Sequence, residues 1–393
     1  MTGGPPVPDR GVPLLASRGH VPGLDGIRGI AILLVAAHNM QMLDGLPLHG
    51  AARWWQYVLN LGWVGVTLFF VLSGHLIAGI LMDSAGKPHA MRRFLARRAL
   101  RIFPLYVALL LVVFHLLPWL GWQPKAYAEE SPHQIWYWLY LSNFTEPLGL
   151  TRGALPHLWS LAVEEQFYLF LPWLLLAWPQ PRRVLLAATA VTLLCMLLRP
   201  LCWWVAPHPE VIYHWTFFRM DALTVGVCTA AVLRDPQLLA WFQRHHRALG
   251  WAVLSMVLAI GWITRGYPRT SMSGQVWGYS ALSLGFAYLV LVVAMPAAPH
   301  HASGARSPAW QRWLGSPLLR RAGLYSYGFY MVHKPLHDAF SPKLLTWLSQ
   351  WNANPVPLAL THLLAMIAGS FVVAAASYHC FESTFLRLKD RLT

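Results

Sequence analysis

Apolar runs long enough to cross a lipid bilayer recur along almost the whole sequence. An α-helix needs about 20 apolar residues to span the hydrocarbon core, and ten segments of about 17 to 25 residues meet that requirement. They lie near 27–43, 58–82, 103–121, 160–178, 184–205, 211–233, 248–264, 276–296, 319–340 and 357–380. Composition agrees, since 56% of the residues are hydrophobic and only 11% are charged, against about 25% charged in soluble proteins. The sequence therefore excludes a soluble enzyme and predicts an all-α membrane protein, a bundle of about ten transmembrane helices.

The distribution of basic residues predicts the orientation of this bundle. If the N-terminus is cytoplasmic, twenty Lys and Arg residues fall in cytoplasmic segments and seven in external segments. Cytoplasmic loops carry such an excess, so we expect both termini in the cytoplasm and a multi-pass protein of the inner membrane. The net charge of +15 follows from these basic loops, and no nucleic-acid partner is expected.

Three parts are predicted along the chain. Residues 1–22 are rich in Pro, Gly and Arg and indicate a disordered basic head, 23–382 form the transmembrane domain, and 383–393 form a short basic cytoplasmic tail. In the longest external segment, the aromatic stretch 135–141 predicts an interfacial or re-entrant helix. The four cysteines form no C-x-x-C pair. They indicate buried side chains, and no metal site is expected.

Charged side chains inside the apolar runs are the first candidates for a functional site, because a charge at bilayer depth costs about 3 kcal/mol or more unless it faces the bundle interior or a wet cavity. The first run opens with Asp25 and Arg28 and later carries His38. Helical rise places His38 about 15 Å beyond Arg28, near or past the midplane. A single intramembrane His is typical of a hydrogen-bonded packing residue. Beside a charged pair on the same helix, proton handling is the competing interpretation.

The second run contains Ser73 and Gly74, and a basic cluster follows it at 92–101. Small residues allow close helix packing, and the alternative is a backbone break that admits a substrate. Arg98 and Arg101 are three residues apart and share one helical face. Such a cluster is typical of cytoplasmic anchoring, but arginine forks also suit phosphate oxygens. The functional interpretation is therefore a cytoplasmic donor that bears a nucleotide.

Three later runs also carry charges. In the fourth, a serine precedes two adjacent carboxylates, Glu164 and Glu165, and this is either an ordinary helix start or a carboxylate pair that faces a membrane cavity. In the sixth, Arg219 and Asp221 are two residues apart, cannot face each other, and therefore require partners from other helices. In the ninth, His333 precedes a Lys-Pro pair, whose proline implies a kink and freed carbonyl groups.

In this order, the polar segments resemble those of the integral-membrane acyltransferase family 3, bacterial membrane O-acyltransferases that modify surface polysaccharides and related acceptors. The matching stretches are LDGIRGIA (24–31) with His38, FFVLSG (69–74), RRALR (97–101) with Pro104 and Tyr106, LWSLAVEEQFY (158–168), FRMDAL (218–223), and YSY (325–327) through His333. The likeness covers about residues 24–382. The 24–29 and 158–168 blocks, found together, carry most of its specificity.

The resemblance implies an enzyme that moves an acyl group, expected to be acetyl, from cytoplasmic acyl-CoA to a hydroxyl of a carbohydrate, an envelope polysaccharide or a lipid-linked sugar. It implies that 23–382 form a transmembrane acyltransferase domain, with acyl-CoA as donor substrate, membrane lipid around it and no metal. The site residues expected from it are His38, Asp25, Arg28 and Glu164 for catalysis, Arg98, Arg101, Ser73 and Gly74 for the donor, and Arg219, Asp221, Tyr168 and His333 for the acceptor. Direct transfer to the acceptor and an acyl-His38 intermediate both stay open.

The sequence departs from the family pattern in two places. Family members place ten residues between the first-helix Arg and His, whereas nine separate Arg28 from His38 here. Residues i and i+11 lie about 20° apart around a helix and residues i and i+10 about 80° apart. Either the helix carries a local irregularity or His38 points in a different direction. The closing Glu-Arg-Pro of the family is Glu-Ser-Thr at 382–384.

Other functions remain open from the residues alone. Some relatives carry an extracytoplasmic esterase-like domain, and we expect this chain to complete the transfer itself or to hand it to a partner. The acceptor could also be a secondary metabolite such as a macrolide. Intramembrane Asp, Arg, His and Glu residues suit a proton-coupled transporter as well, although no internal repeat is found. A structural scaffold of an envelope pathway is the third alternative.

Overall fold

The computed structural model describes residues 21–43, 50–122, 124–150, 154–296, 308–351 and 354–389, and within these ranges it contains helices and no strands. The helices are α1 Pro22–Met40, α2 Gly50–Asn60, α3 Val64–Ser84, α4 Ala90–Leu111, α5 Leu117–Trp119, α6 Lys125–Glu130, α7 Ile135–Trp138, α8 Leu158–Ala177, α9 Pro181–Val205, α10 Pro209–His214, α11 Thr216–Val232, α12 Pro236–Ile263, α13 Tyr279–Ala294, α14 Ala309–Leu314, α15 Pro317–Ser349, α16 Pro355–Ser377 and α17 Ser383–Lys389. Short 3-10 turns occupy Leu61–Trp63, Ser131–His133 and Ser142–Phe144, and π-helical turns occupy Val112–Leu116, Gly274–Gly278 and Tyr378–Glu382.

Six of the ten predicted spans are confirmed as helices long and apolar enough to cross a membrane. They are 52–84, 90–119, 181–205, 236–263, 274–294 and 355–388. The other four predicted spans form helices α1, α8, α11 and α15, and each of these carries the charged residues noted in the sequence. Charges lower the hydropathy of a segment, and a helix enclosed by other helices tolerates them. The count of ten spans and the cytoplasmic termini stay predictions.

Helix α1 lies between α3 and α15. It is antiparallel to α3, because Gly62 lies against Leu34 while Gly65 lies against Ala31. It is parallel to α15, because Leu319 lies against Gly29 near one end and Ser341 Oγ lies 3.7 Å from Met42 Sδ near the other. The polar residues of α1 are therefore held between two helices.

Glycines set the close contact between α3 and α11. A Cβ at Gly74 would come within 1.9 Å of the Leu223 carbonyl oxygen, and a Cβ at Gly226 within 2.1 Å of the Val71 oxygen. Only glycine permits this approach of two backbones, as in other small-residue helix contacts in membranes. The packing interpretation of Gly74 is the one that the structure displays, and α3 continues unbroken through it.

The structure also bears on smaller predictions. Residues 1–20 of the predicted head and 390–393 of the tail lie outside the described residues, while Pro22 begins α1 and residues 383–389 form α17. The aromatic stretch at 135–141 contains the single helical turn α7. The expectation of buried cysteines is confirmed for Cys195 and wrong for Cys380, which is exposed in the π-helical turn Tyr378–Glu382.

Candidate active site

One face of α8 carries a row of polar side chains. Ser160, Glu164 and Tyr168 are spaced by four residues, so they lie one above another along the helix. The helix begins at Leu158 and Ser160 makes no capping hydrogen bond. The ordinary helix-start interpretation of this motif is therefore wrong, because the serine lies inside the first turn and the carboxylates in the second.

Tyr168 and Glu164 meet α3 and α4. The Tyr168 hydroxyl makes a short hydrogen bond with Ser73 Oγ, and Glu164 makes side-chain hydrogen bonds to the same two residues. The guanidinium carbon of Arg98 lies 4.1 Å from the centroid of the Tyr168 ring. This contact brings the basic cluster of α4 onto the carboxylate-bearing face of α8.

Arg28 completes this group from α1. Its guanidinium lies 3.8 Å from Asp25 and within the electrostatic influence of Arg98 and Glu164. Arg101 is influenced by Arg28 and Arg98, and its side chain is exposed. Three guanidinium groups and three carboxylates therefore gather from α1, α4 and α8, and we call Asp25, Arg28, Ser73, Arg98, Arg101, Glu164, Glu165 and Tyr168 the arginine cluster.

Two tyrosines that the sequence motifs did not assign to the site, Tyr106 and Tyr327, lie within the electrostatic influence of Glu165 of the arginine cluster. The Glu165 carboxylate interacts electrostatically with Arg98 and with the buried Tyr106 of α4. The Tyr327 hydroxyl donates to the Ile102 carbonyl at 2.6 Å. Both contacts join helices distant in sequence, and the only sequence signal for them was their position inside the matching stretches.

His38 lies elsewhere on α1. The helix is continuous from Pro22 to Met40. This excludes a local irregularity as the explanation for the shortened spacing between Arg28 and His38. His38 therefore points in a different direction from Arg28. A Cβ on Gly62 would lie 3.0 Å from the His38 Cβ. Helical rise separates His38 from Arg28 by about 15 Å along the axis. The next residue of the 3-10 turn, Trp63, places its ring 5.2 Å from that of Tyr279.

Arg219 lies in a cage of aromatic rings. It is 1% exposed, and its guanidinium carbon lies between 4.4 and 5.9 Å from the ring centroids of four aromatic residues, namely Phe70, Trp159, Tyr213 and Tyr279. Its Nη2 donates to Thr67 Oγ1 at 3.1 Å. Ring faces attract a cation, and this attraction strengthens away from water. Trp159 of α8 joins this cage to the row of Ser160, Glu164 and Tyr168.

Asp221 faces a different partner from its neighbour Arg219, as the two-residue spacing predicted. It accepts a hydrogen bond from Arg199 Nη2 at 2.7 Å, and both side chains are almost fully buried. Arg199 also donates to Ser280 Oγ at 2.8 Å and to the Gln275 carbonyl at 3.2 Å. Arg199 therefore lies inside α9 as the counter-ion of Asp221.

His333 contacts a second histidine that the sequence did not single out. Its ring centroid lies 4.9 Å from that of His157, the residue before α8. The Tyr330 hydroxyl donates to the His157 carbonyl at 2.5 Å and lies 2.6 Å from Ser160 Oγ. His333 is thus connected to the polar face of α8 through Tyr330.

A group of ligating side chains lies near the aromatic cage. Glu146, Glu210 and His214 bring ligand atoms within 4.8 Å of one another, and Arg269 pairs with Glu210 at 3.5 Å. A hydrogen bond from His214 holds the pKa of Glu146 below its usual range. These ligand atoms lie close enough together to bind one divalent cation, and Arg269 already pairs with one of the two carboxylates.

A family profile described as an acyltransferase domain matches residues 21–376. The chain is 26% identical over 401 residues to the peptidoglycan O-acetyltransferase OatA of Listeria monocytogenes, covering 95% of this chain and 58% of that protein. It is 26% identical over 392 residues to the putative peptidoglycan O-acetyltransferase YrhL of Bacillus subtilis, covering 92% and 54%.

A third relative is the O-acetyltransferase OatA of Staphylococcus aureus, 26% identical over 368 residues, with coverage of 90% of this chain and 56% of that protein. The chain thus spans a little over half the length of these curated relatives. No solved structure matches it. Since the acyltransferase match covers nearly the whole chain and includes every helix of the arginine cluster, the chain belongs to the integral-membrane acyltransferase family 3, a family of bacterial membrane O-acyltransferases.

Proposed function

We propose that this protein is an O-acyltransferase of the cytoplasmic membrane that moves an acyl group, acetyl in the simplest case, from acyl-CoA to a hydroxyl of an envelope carbohydrate. The observation that carries the proposal is the arginine cluster, in which Arg28, Arg98 and Glu164 lie close together although they belong to three different helices. The relatives act on peptidoglycan by their names, and a peptidoglycan-type glycan is therefore the acceptor that we propose first.

The arginine cluster suits the phosphates of a CoA donor. Guanidinium groups bind phosphate oxygens through two parallel hydrogen bonds. Arg101 is exposed and Arg98 lies behind it over the Tyr168 ring, so a phosphate can approach from outside the bundle and find a second arginine further in. The exposed Arg92 and Arg93 begin the same helix. We propose that this end of the bundle faces the cytoplasm.

The chemistry needs a base and a group that stabilises negative charge. A base removes the acceptor hydroxyl proton, the oxygen attacks the thioester carbon, and the C–S bond breaks to release a thiolate that is then protonated. Arg28 stabilises the oxyanion that develops on the carbonyl oxygen. Asp25 and Glu164 orient Arg28, and His38 serves as the base toward the acceptor.

The separation of Arg28 from His38 leaves two routes for the acyl group. Either the pantetheine arm carries the thioester along α1 to His38, or His38 itself becomes acylated and passes the group on. Rapid quenching of labelled enzyme distinguishes these routes, because only the second yields a labelled peptide that contains His38. In both routes the aromatic cage of Arg219 and the Tyr330–His333 region lie on the acceptor side.

Isotope-labelled acetyl-CoA supplied to membranes tests the proposal. Membranes with the wild-type protein should yield a labelled envelope carbohydrate that mass spectrometry identifies. His38→Ala should lower the labelling rate by about 10²- to 10⁴-fold, whereas His379→Ala, an exposed histidine near the end of the chain, should leave it unchanged. Near-normal labelling by His38→Ala would exclude His38 as the base. Solute uptake without acetyl-CoA and without any labelled carbohydrate would favour a transporter and reject the proposal.

A further inference from the structure

Four histidines form a line through the part of the bundle above the arginine cluster. His157 precedes α8, His333 and His337 lie one turn apart on α15, and His362 lies on α16. The ring centroids are 4.9 Å apart for His157 and His333 and 5.7 Å apart for His337 and His362. We call these four residues the histidine line.

Three residues of the histidine line are buried, and most of their ring nitrogens make no hydrogen bond to the described residues. His157, His333 and His362 are 5%, 0% and 0% exposed. His333 Nδ1 donates a hydrogen bond to the Tyr330 carbonyl at 2.8 Å. Among the described residues, both ring nitrogens of His157 and His362 and Nε2 of His333 have no hydrogen-bond partner. Buried polar atoms are normally satisfied, so such a concentration points to a role other than packing.

One end of the histidine line reaches the face of α8 described above. His157 and His333 both contact the Tyr330 ring, at 5.4 and 5.5 Å between centroids. The Tyr330 hydroxyl lies 2.6 Å from Ser160 Oγ and within the influence of Glu164. Hydroxyl groups of this kind accept and donate protons in turn, so exchangeable groups lie between the arginine cluster and the rings of His157 and His333.

The other end approaches the opposite face of the bundle. Along α15, Gly323 lies against Asp25 at the start of α1, whereas Ser341 lies beside Met42 just past its end. His333 and His337 fall between these two levels. The charged and titratable neighbours there are a Lys334–Asp338 pair at 2.5 Å, Asp338 at 3.6 Å from His337 Nδ1, and the Tyr127 hydroxyl at 3.1 Å from Asp338.

Acyl transfer between two faces of a membrane creates a proton imbalance. The acceptor hydroxyl loses its proton on one side, and the thiolate released from the donor requires a proton on the other. A free thiol has a pKa of about 8.5, so near pH 7 the thiolate takes up a proton. No oxidant or further reactant is involved. One proton must therefore cross for each acyl group, or else each compartment must change its pH.

We propose that the histidine line conducts this proton from the acceptor hydroxyl to the leaving thiolate, through Tyr330 and Ser160 to the arginine cluster. Histidine is the side chain best suited to pass a proton near neutral pH, because one ring nitrogen can release a proton while the other takes one up. The inference rests on the proposed function, and it adds His157, His333, His337 and His362 as positioning and relay residues.

Sealed vesicles test the inference directly. They contain the purified protein, labelled acetyl-CoA and a trapped pH dye, and a soluble peptidoglycan fragment is added outside. For the wild-type protein we expect acylation of the outside acceptor without a change of internal pH. For His333→Gln we expect transfer slowed by about 10- to 100-fold, together with a loss of one internal proton for each acyl group transferred.

Matched variants separate the relay from structure. His337→Gln is the second variant, since this residue is less buried than His333 and its replacement disturbs packing less. His379→Gln, which lies outside the histidine line and bonds to Tyr325, should keep the wild-type ratio of protons to acyl groups. A purely structural role would slow transfer without changing that ratio.

Each outcome decides the inference. The measured quantity is the number of internal protons lost per acyl group transferred. An equal number in the wild-type protein, His333→Gln and His337→Gln would overturn the inference. A wild-type protein that already loses one internal proton per acyl group would overturn it as well. Complete absence of acylated acceptor with folded wild-type protein would overturn the proposed function and this inference together. A loss of internal protons that rises from zero to one per acyl group only in His333→Gln and His337→Gln supports the relay.

Discussion

The guanidinium carbon of Arg98 lies 4.1 Å from the centroid of the Tyr168 ring, so the basic motif of α4 and the acidic motif of α8 meet through one cation–π contact. Ring faces attract a cation, so the Tyr168 ring stabilises the Arg98 guanidinium at this position. The Tyr168 hydroxyl is in turn fixed by Ser73. Arg98 is thereby held in place by a neighbour that does not compete for its hydrogen bonds.

Replacement of Arg98 should weaken donor binding more than it slows the chemical step. A charge-assisted hydrogen bond contributes about 1.5–3 kcal/mol, so Arg98→Ala should raise the KM for acetyl-CoA by about 10- to 100-fold and change kcat little. Arg92→Ala, an exposed arginine at the start of the same helix, is the matched control and should keep the wild-type KM. An unchanged KM in Arg98→Ala would remove this residue from the donor site.

The α3–α11 contact should not tolerate a side chain at Gly74. A Cβ there would lie 1.9 Å from the Leu223 carbonyl oxygen, so the two helices must separate, and overpacking of this kind costs about 1–3 kcal/mol. Gly74→Ala should therefore lower the thermal unfolding midpoint in detergent. Gly369→Ala is the control, because a Cβ at Gly369 meets nothing within 4 Å and alanine favours a helix by about 1 kcal/mol. Equal midpoints for the two variants would contradict the packing account.

The buried pair of Arg199 and Asp221 should be more sensitive to loss of one partner than to loss of both. Asp221→Asn leaves the Arg199 charge buried without a counter-ion, which costs about 3–5 kcal/mol. In the double variant Arg199→Met with Asp221→Leu, neither charge of the pair remains, and most of the stability should return. Thermal unfolding of the purified variants measures this difference. A double variant no more stable than Asp221→Asn would show that the pair has another role.

The pair of Glu146 and His214 should make stability depend on pH. The hydrogen bond from His214 lowers the pKa of Glu146 in the folded protein, so the pair stabilises the fold above the ordinary glutamate pKa of about 4.3 and is lost as pH falls through the lower folded-state value. Glu146→Gln should flatten the decline of the unfolding midpoint below about pH 4.3, whereas Glu129→Gln, an exposed glutamate, should not. An identical decline in Glu146→Gln and wild-type protein would argue against the pair.

The sequence predicted which segments form helices better than it predicted which helices pack against each other. Apolar runs predicted ten membrane spans, and six of them are confirmed as helices long and apolar enough to cross a membrane, because length and hydropathy are local properties of a segment. The motifs also predicted that Arg28, Arg98 and Glu164 belong to one site, and the structure brings them together. The resemblance gave this grouping, since spacing along the chain does not say which helices become neighbours.

Contacts that depend on helix packing could not be predicted. Asp221 required a partner from another helix, but nothing in the sequence identified Arg199, which lies 22 residues earlier. His157 lies outside the apolar runs, and only the antiparallel approach of α8 and α15 brings it to His333. The direction of His38 was open as well, because it depends on whether α1 is a regular helix.

The central claim is that one cluster of polar side chains on α8, α1 and α4 transfers an acyl group from a thioester to an alcohol. The most direct measurement is labelled acetyl transfer to a peptidoglycan fragment by purified protein in vesicles, compared for wild type, Glu164→Gln and Arg28→Gln at matched amounts of folded protein. We predict a labelled acceptor with the wild-type protein and at least about 100-fold less with either variant. Transfer at the wild-type rate by both folded variants would contradict the account.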